Sequence, residues 1–118
     1  MELFTNDFCN LEMHSRYVVL TLNENTNFTL DKATIVRERL SKHYKSSNFV
    51  LISYRKFKHN ISLDIFEKGQ LTNMKGLAVV STKAEEKNIA LLHQERFGKS
   101  FAFFDSLEEA KTWAQDYF

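Results

Sequence analysis

Proline is absent from the 118-residue chain, glycine occurs three times, and cysteine and tryptophan occur once each. Each scarcity excludes something. Three glycines cannot build a phosphate-cradling loop or a dinucleotide fingerprint, whose tight turns need that residue repeatedly. The lone Cys9 forms no internal disulfide, and it reads as a bland, partly buried thiol rather than a nucleophile. With no proline, no low-complexity segment and no repeat, nothing marks a linker, so residues 1–118 read as one continuous domain. The longest apolar runs, FVLI and LAVV, fall far short of the roughly 20 residues of a membrane span. The start, MELFTND, carries an early acid and no apolar core region, so it does not read as a secretion signal. The sequons Asn27-Phe28-Thr29 and Asn60-Ile61-Ser62 are then chance matches, and a reducing cytoplasmic location is the expectation.

What is present is a globular composition, with 43% hydrophobic and 26% charged residues, and eleven phenylalanines that predict an aromatic-rich core. The net charge of +1 says nothing of partners, but its distribution is uneven. Residues 1–31 carry −4, residues 32–60 carry +7 and residues 61–118 carry −2. Basic charge is therefore concentrated in one quarter of the chain.

The first third reads as strands: residues 2–5, 8–14 and 16–23, with Asn6-Asp7 as a turn, form an antiparallel meander. Ala33, Val36, Leu40 and Tyr44 then fall at helical spacing, with Thr29 as a cap, predicting a helix over 30–45. Three strand–helix units complete the chain. Strand 49–54 precedes a short helix over 62–68 ended by Gly69. Strand 77–81 precedes a helix over 83–95, capped by Thr82 with Glu85 and burying Leu91 and Leu92. Strand 101–104 precedes a helix capped by Ser106 with Glu109, burying Leu107, Ala110, Trp113 or Ala114, and Tyr117. The fold class is α/β: a mixed sheet of five to six strands, an antiparallel meander followed by parallel βα units, with four helices.

No catalytic motif stands out. The histidines His14, His43, His59 and His93 lack a partner at metal-ligand spacing, so neither a metal nor a cofactor is expected. Acid pairs such as Glu85-Glu86 and Glu108-Glu109 sit in first helical turns, where capping and the helix dipole account for them. The candidate site is the stretch SYRKFKHNISLD, which leaves the carboxyl end of a strand, where α/β sheets bind ligands. Arg55, Lys56 and Lys58 supply positive charge, Phe57 an unusual loop aromatic and His59 a titratable ring. The helix expected at Ser62 would offer free N–H groups to an anion. Nucleic-acid binding is not expected, since the charge is modest and no recognised module has this strand order.

FVLISYR running into NISLD, GLAVVST, and above all the ending FAFFDSLEEAKTWA carry a family resemblance. Over nearly its whole length the chain resembles a SpoIIAA-like domain of the STAS and CRAL-TRIO type, in particular the small stand-alone bacterial versions. The resemblance implies a mixed sheet with helices mainly on one face, a frequent homodimer, and a non-enzymatic role. In anti-sigma factor antagonists of this superfamily, a Ser or Thr in an acid-Ser-x-Gly turn is phosphorylated; the matching position is near Ser62, where the local sequence NISLD departs from that turn. CRAL-TRIO domains hold a lipid or other apolar ligand. Two functions are therefore expected, each without catalysis. One is a regulatory domain that binds a protein partner through a helix face and the basic loop. The other is a small carrier of an amphipathic anion, its acyl part among phenylalanines and its head near Arg55, Lys56 and Lys58. The aromatic end, Trp113, Tyr117 and Phe118, adds to the expectation of a homodimer.

Overall fold

Period-two alternation organises the start of the chain. β1 (Glu2–Thr5), β2 (Cys9–Met13) and β3 (Tyr17–Leu22) form an antiparallel meander, with Glu2 opposite Met13 and Cys9 opposite Leu22. Along β2, Cys9, Leu11 and Met13 are wholly buried while Asn10 and Glu12 between them are not. The Asn6 side chain accepts the N–H groups of Phe8 and Cys9 at 3.0 and 2.9 Å, which shapes the first reversal. The structure, a computed structural model, describes residues 1–57 and 59–118.

From β3 onward the pairing is parallel, through β5 (Phe49–Tyr54), β7 (Met74–Val80) and β8 (Ser100–Phe104), in the spatial order β1-β2-β3-β5-β7-β8. β4 (Asn27–Phe28) and β6 (Asn60–Ile61) form a separate two-stranded parallel pair. Each new strand adds to the same edge, so right-handed crossovers carry α1 (Leu30–Tyr44) and α2 (Ala84–Phe97) over one face. α3 (Leu107–Asp116) packs on the other face. Two cores result. Leu20, Leu77 and Val79 meet α1 and α2 through Val36, Leu40 and Phe97. Val19, Val50, Ile52 and Val80 meet α3 through Ala110 and Ala114. α3 approaches closely at Gly76, where a Cβ would lie 3.2 Å from both Trp113 and Val50. Trp113 and Tyr117 pack into this second core, and the Tyr117 hydroxyl donates to the Ser100 hydroxyl at 2.9 Å; Phe118 is exposed.

The mixed sheet, antiparallel then parallel, is as expected; the helix count is not, since three α-helices form among the described residues rather than four. Residues 62–68 give only a four-residue 3₁₀ turn, Leu63–Phe66. Ser62 makes no capping bond there, because its hydroxyl is taken by the Asp64 carboxylate, and Gly69 reverses the chain at φ 71°. Thr29 and Ser106 do cap, accepting the N–H groups of Lys32 and Glu109. Thr82 does not: Lys83 holds the cap position of α2, and its own N–H goes to the Ser81 hydroxyl.

The phase of α2 also differs. Glu86, Ala90, His93 and Phe97 face the sheet, whereas Leu91 and Leu92 are 54% and 55% exposed. Each residue turns a helix by about 100°, so burying the leucine pair would expel Phe97, the large apolar anchor, and Ala90, whose small side chain lets the helix approach. Among the described residues, no helix is long and apolar enough to cross a membrane.

Candidate ligand site

The alternation of β5 does not stop at its end. Phe49 and Leu51 face α1 and α2, and Ser53 and Arg55 continue the same parity. Arg55 is thereby drawn inward to 5% exposure, its backbone N–H held by the Val80 carbonyl at 2.9 Å. Its Nε donates to the Ser53 hydroxyl at 3.3 Å and its Nη2 to His93 Nδ1 at 3.0 Å. Arginine has no acceptor, so His93 Nδ1 must be unprotonated and its proton sits on Nε2. The His93 ring stacks on Phe66 with centroids 4.5 Å apart, and burial with Arg55 alongside pushes its pKa down to about 4. Burial lowers Arg55 to about 10, offset in part by the nearby Glu86 carboxylate, so it remains charged.

Glu86, in the first turn of α2, is 2% exposed and forms no ion pair with Arg55. His59 turns inward from the start of β6; burial lowers its pKa first, the Thr26 backbone opposes that, and both Arg55 and Glu86 act on it electrostatically. Among the described residues, Arg55 Nη1 and Glu86 Oε1 are buried and make no hydrogen bond within the protein, and the buried ring nitrogens of His59 have only the Thr26 backbone beside them. All belong to this one cluster.

A cavity of about 70 Å³ lies between the sheet and α1, with Ser53 and Arg55 at one part of its wall; His59, Glu86 and His93 do not line it. Leu20, Leu22, Val36, Ile65, Phe66 and Leu77 make the rest of the wall largely apolar. Arg37 lines it too, and pins the 3₁₀ turn to α1 by donating to the carbonyls of Ile65 and Lys68 at 2.6 and 2.8 Å. An open cleft of about 400 Å³ crosses the carboxyl ends of β5, β7 and β8, and Arg55 borders it as well. The strand order never reverses, so this sheet has no switch-point crevice, and a cavity lies instead under the helices.

The expected basic loop is thus divided. Arg55 and His59 turn into the interior, whereas Lys56 is exposed, its ammonium 5.5 Å from the Tyr54 ring centre. Phe57 is half-buried, edge-on to His59 with centroids 6.1 Å apart. Lys58 lies outside the described residues. Ser62 is exposed and bonded to Asp64, and the four-residue turn after it offers no helix N-terminus to an anion. Sequence reasoning missed Ser53, Glu86 and His93. The strand alternation Phe49–Leu51–Ser53–Arg55 and the helical stripe Glu86–Ala90–His93–Phe97 were the signals that could have found them. Among the described residues, no group of three or more His, Cys, Asp or Glu side chains is placed to hold a metal ion. Comparison with family models, curated proteins and solved structures found no match for this chain.

Proposed function

We propose that the chain is a non-enzymatic binding domain for a small amphipathic ligand, whose apolar part enters the cavity and whose polar head meets Arg55. One observation carries this reading: a buried guanidinium with an unused N–H group lines a largely apolar cavity. A buried cation is unfavourable unless paired, and Ser53 and His93 give Arg55 only neutral partners. An acidic or polar head supplies the acceptor that the fold does not. The occupied Nδ1 of His93, and the Cys9 thiol pushed up to about 11 by burial, support binding over catalysis. The resemblance to SpoIIAA-like domains favours a non-catalytic role as well.

The cavity bounds the ligand. At about 70 Å³ it is near half the ~150 Å³ of an apolar cavity that takes benzene, so it suits a three- or four-carbon group rather than a long acyl chain. A regulatory protein partner is the second reading, favoured by the adjacent exposed Leu91 and Leu92. Since α2 presents His93 inward and those leucines outward, ligand and partner would share one helix.

Titrating the protein with short carboxylates, alcohols and amino acids, followed by amide chemical shifts, tests the site. Saturable shifts confined to Ser53–Arg55, residues 60–66 and α2 are expected. No saturable shift with any of these compounds, or shifts that follow only exposed lysines such as Lys56 and Lys83, would contradict it.

A further inference from the structure

β8 ends the sheet, and among the described residues no strand pairs with its outer side. The Ser81 N–H donates to the Phe104 carbonyl at 3.1 Å, so Ser100, Ala102 and Phe104 turn their backbone groups toward β7. The N–H and C=O groups of Phe101 and Phe103 therefore point away from the sheet. Natural edge strands are guarded by charge, proline or a bulge. β8 reads SFAFF, has no charge or proline, and pairs with β7 without a register shift. At the opposite edge, β1 is four residues long and carries Glu2, which Arg39 and His43 hold. Beside β8, α2 leaves Leu91 54% exposed. The Lys87 ammonium lies 5.9 Å from the Phe103 ring centre, and the Phe97 and Phe101 ring centres are 6.5 Å apart. α2 thus runs back along β8, with Leu91 between those two contacts and on the same side of the helix as Lys87.

We infer that this edge pairs with the β8 of a second copy of the chain, antiparallel about a two-fold axis at Ala102. Phe101 then lies opposite the partner's Phe103, and these outward-facing residues exchange both of their backbone hydrogen bonds. Their rings meet across the strands as aromatic pairs. The same register sets Lys99 opposite the partner's Asp105, twice over by symmetry. Both residues are exposed; Asp105 forms no ion pair among the described residues, and Lys99 reaches only the carbonyls of Leu71 and Met74, at 3.5 and 3.3 Å. A slip of two residues also keeps Phe101 and Phe103 facing the partner, but it sets Lys99 opposite Phe103 or Leu107 and loses both charge pairs. The edge is thus its own complement, in shape, apolar character and charge, which singles out a second copy as its occupant. The two-fold axis also brings Leu91 toward its counterpart over the joined sheet. The interface uses neither the Arg55 cavity nor the aromatic carboxyl end, where Trp113 and Tyr117 already pack in the second core.

Sedimentation equilibrium of the whole protein tests it, with a mass twice the 13.9 kDa of one chain expected at micromolar concentration. Lys99→Glu and Asp105→Lys each set like charges opposite one another at two places. Each is expected to weaken the dimer at least about tenfold, and the two together, which restore opposite signs, to recover it. A mass of one chain up to millimolar concentration overturns the inference and leaves the edge to a strand of a different protein. A dimer that the single reversals do not weaken, or that the double reversal does not recover, overturns this interface as well. Should a reversal fail to fold, Ala102→Cys decides: Cys9 is buried, and the two new thiols meet at the axis within the span of a disulfide. Oxidation is then expected to link the chains in pairs, and failure to link them overturns the register.

Discussion

His93 stacks one face on Phe66 and accepts from Arg55 at Nδ1, so protonating it would set two cations against each other in the interior. Burial of the ring, and after it the neighbouring Arg55 charge, lower its pKa from 6.5 to about 4. The unfolded chain therefore takes up a proton that the folded chain refuses between those values. This contribution to stability is complete above about pH 6.5 and is lost as the pH falls toward 4. At about 1.4 kcal/mol per pKa unit, acidifying from about pH 7.5 to about pH 4.5 should cost wild type roughly 2–3 kcal/mol more than His93→Gln. Urea denaturation of both proteins at the two pH values measures it; equal losses would mean that His93 is not held neutral by its surroundings. The location of Arg55 was legible in part. Its sequence position beyond a strand suggested a solvated loop, while the parity of Phe49, Leu51 and Ser53 pointed it inward. Charge misled where alternation would not have, because a long side chain follows the pleat of its strand even when its head is charged.

α2 shows the same competition at the scale of an element. A pair of adjacent leucines looks like a buried face, but adjacency is not helical periodicity. Phe97 and Ala90 set the phase, and Glu86 and His93 follow them into the interior. Leu92→Lys should change stability by no more than about 0.5 kcal/mol, as at other exposed positions. Phe97→Ala should cost about 3–5 kcal/mol by opening the core. Chemical denaturation of the two variants separates the phases, and a large loss at Leu92 with little at Phe97 would reverse the assignment. α1 and α3 were legible because their stripes and caps agree, from Thr29 through Tyr44 and from Ser106 through Ala114. The 3₁₀ turn and the β4–β6 pair were not, since elements of two to four residues are too short for any period to show.

Over the whole molecule, the sequential sheet and the two cores account for the fold without the polar cluster. The order β1-β2-β3-β5-β7-β8 follows from short connections and right-handed crossovers, and both sheet faces are closed by apolar side chains. Arg55 and Glu86 stand apart from that account. They are buried, charged and incompletely bonded, which opposes stability in a protein that needed them only for packing. The central claim is that they are kept to meet a ligand. The thermal melt of the triple substitution Arg55→Met, Glu86→Leu and His93→Leu tests it most directly, since it removes both charges together with the buried ring nitrogen that Arg55 serves, and leaves none of them stranded. The account predicts a midpoint at or above that of wild type, because replacing buried charges by apolar groups of similar volume is often neutral or stabilising. A midpoint more than about 5 °C lower, near 1 kcal/mol for a chain of this size, would make the cluster part of the scaffold and contradict the claim.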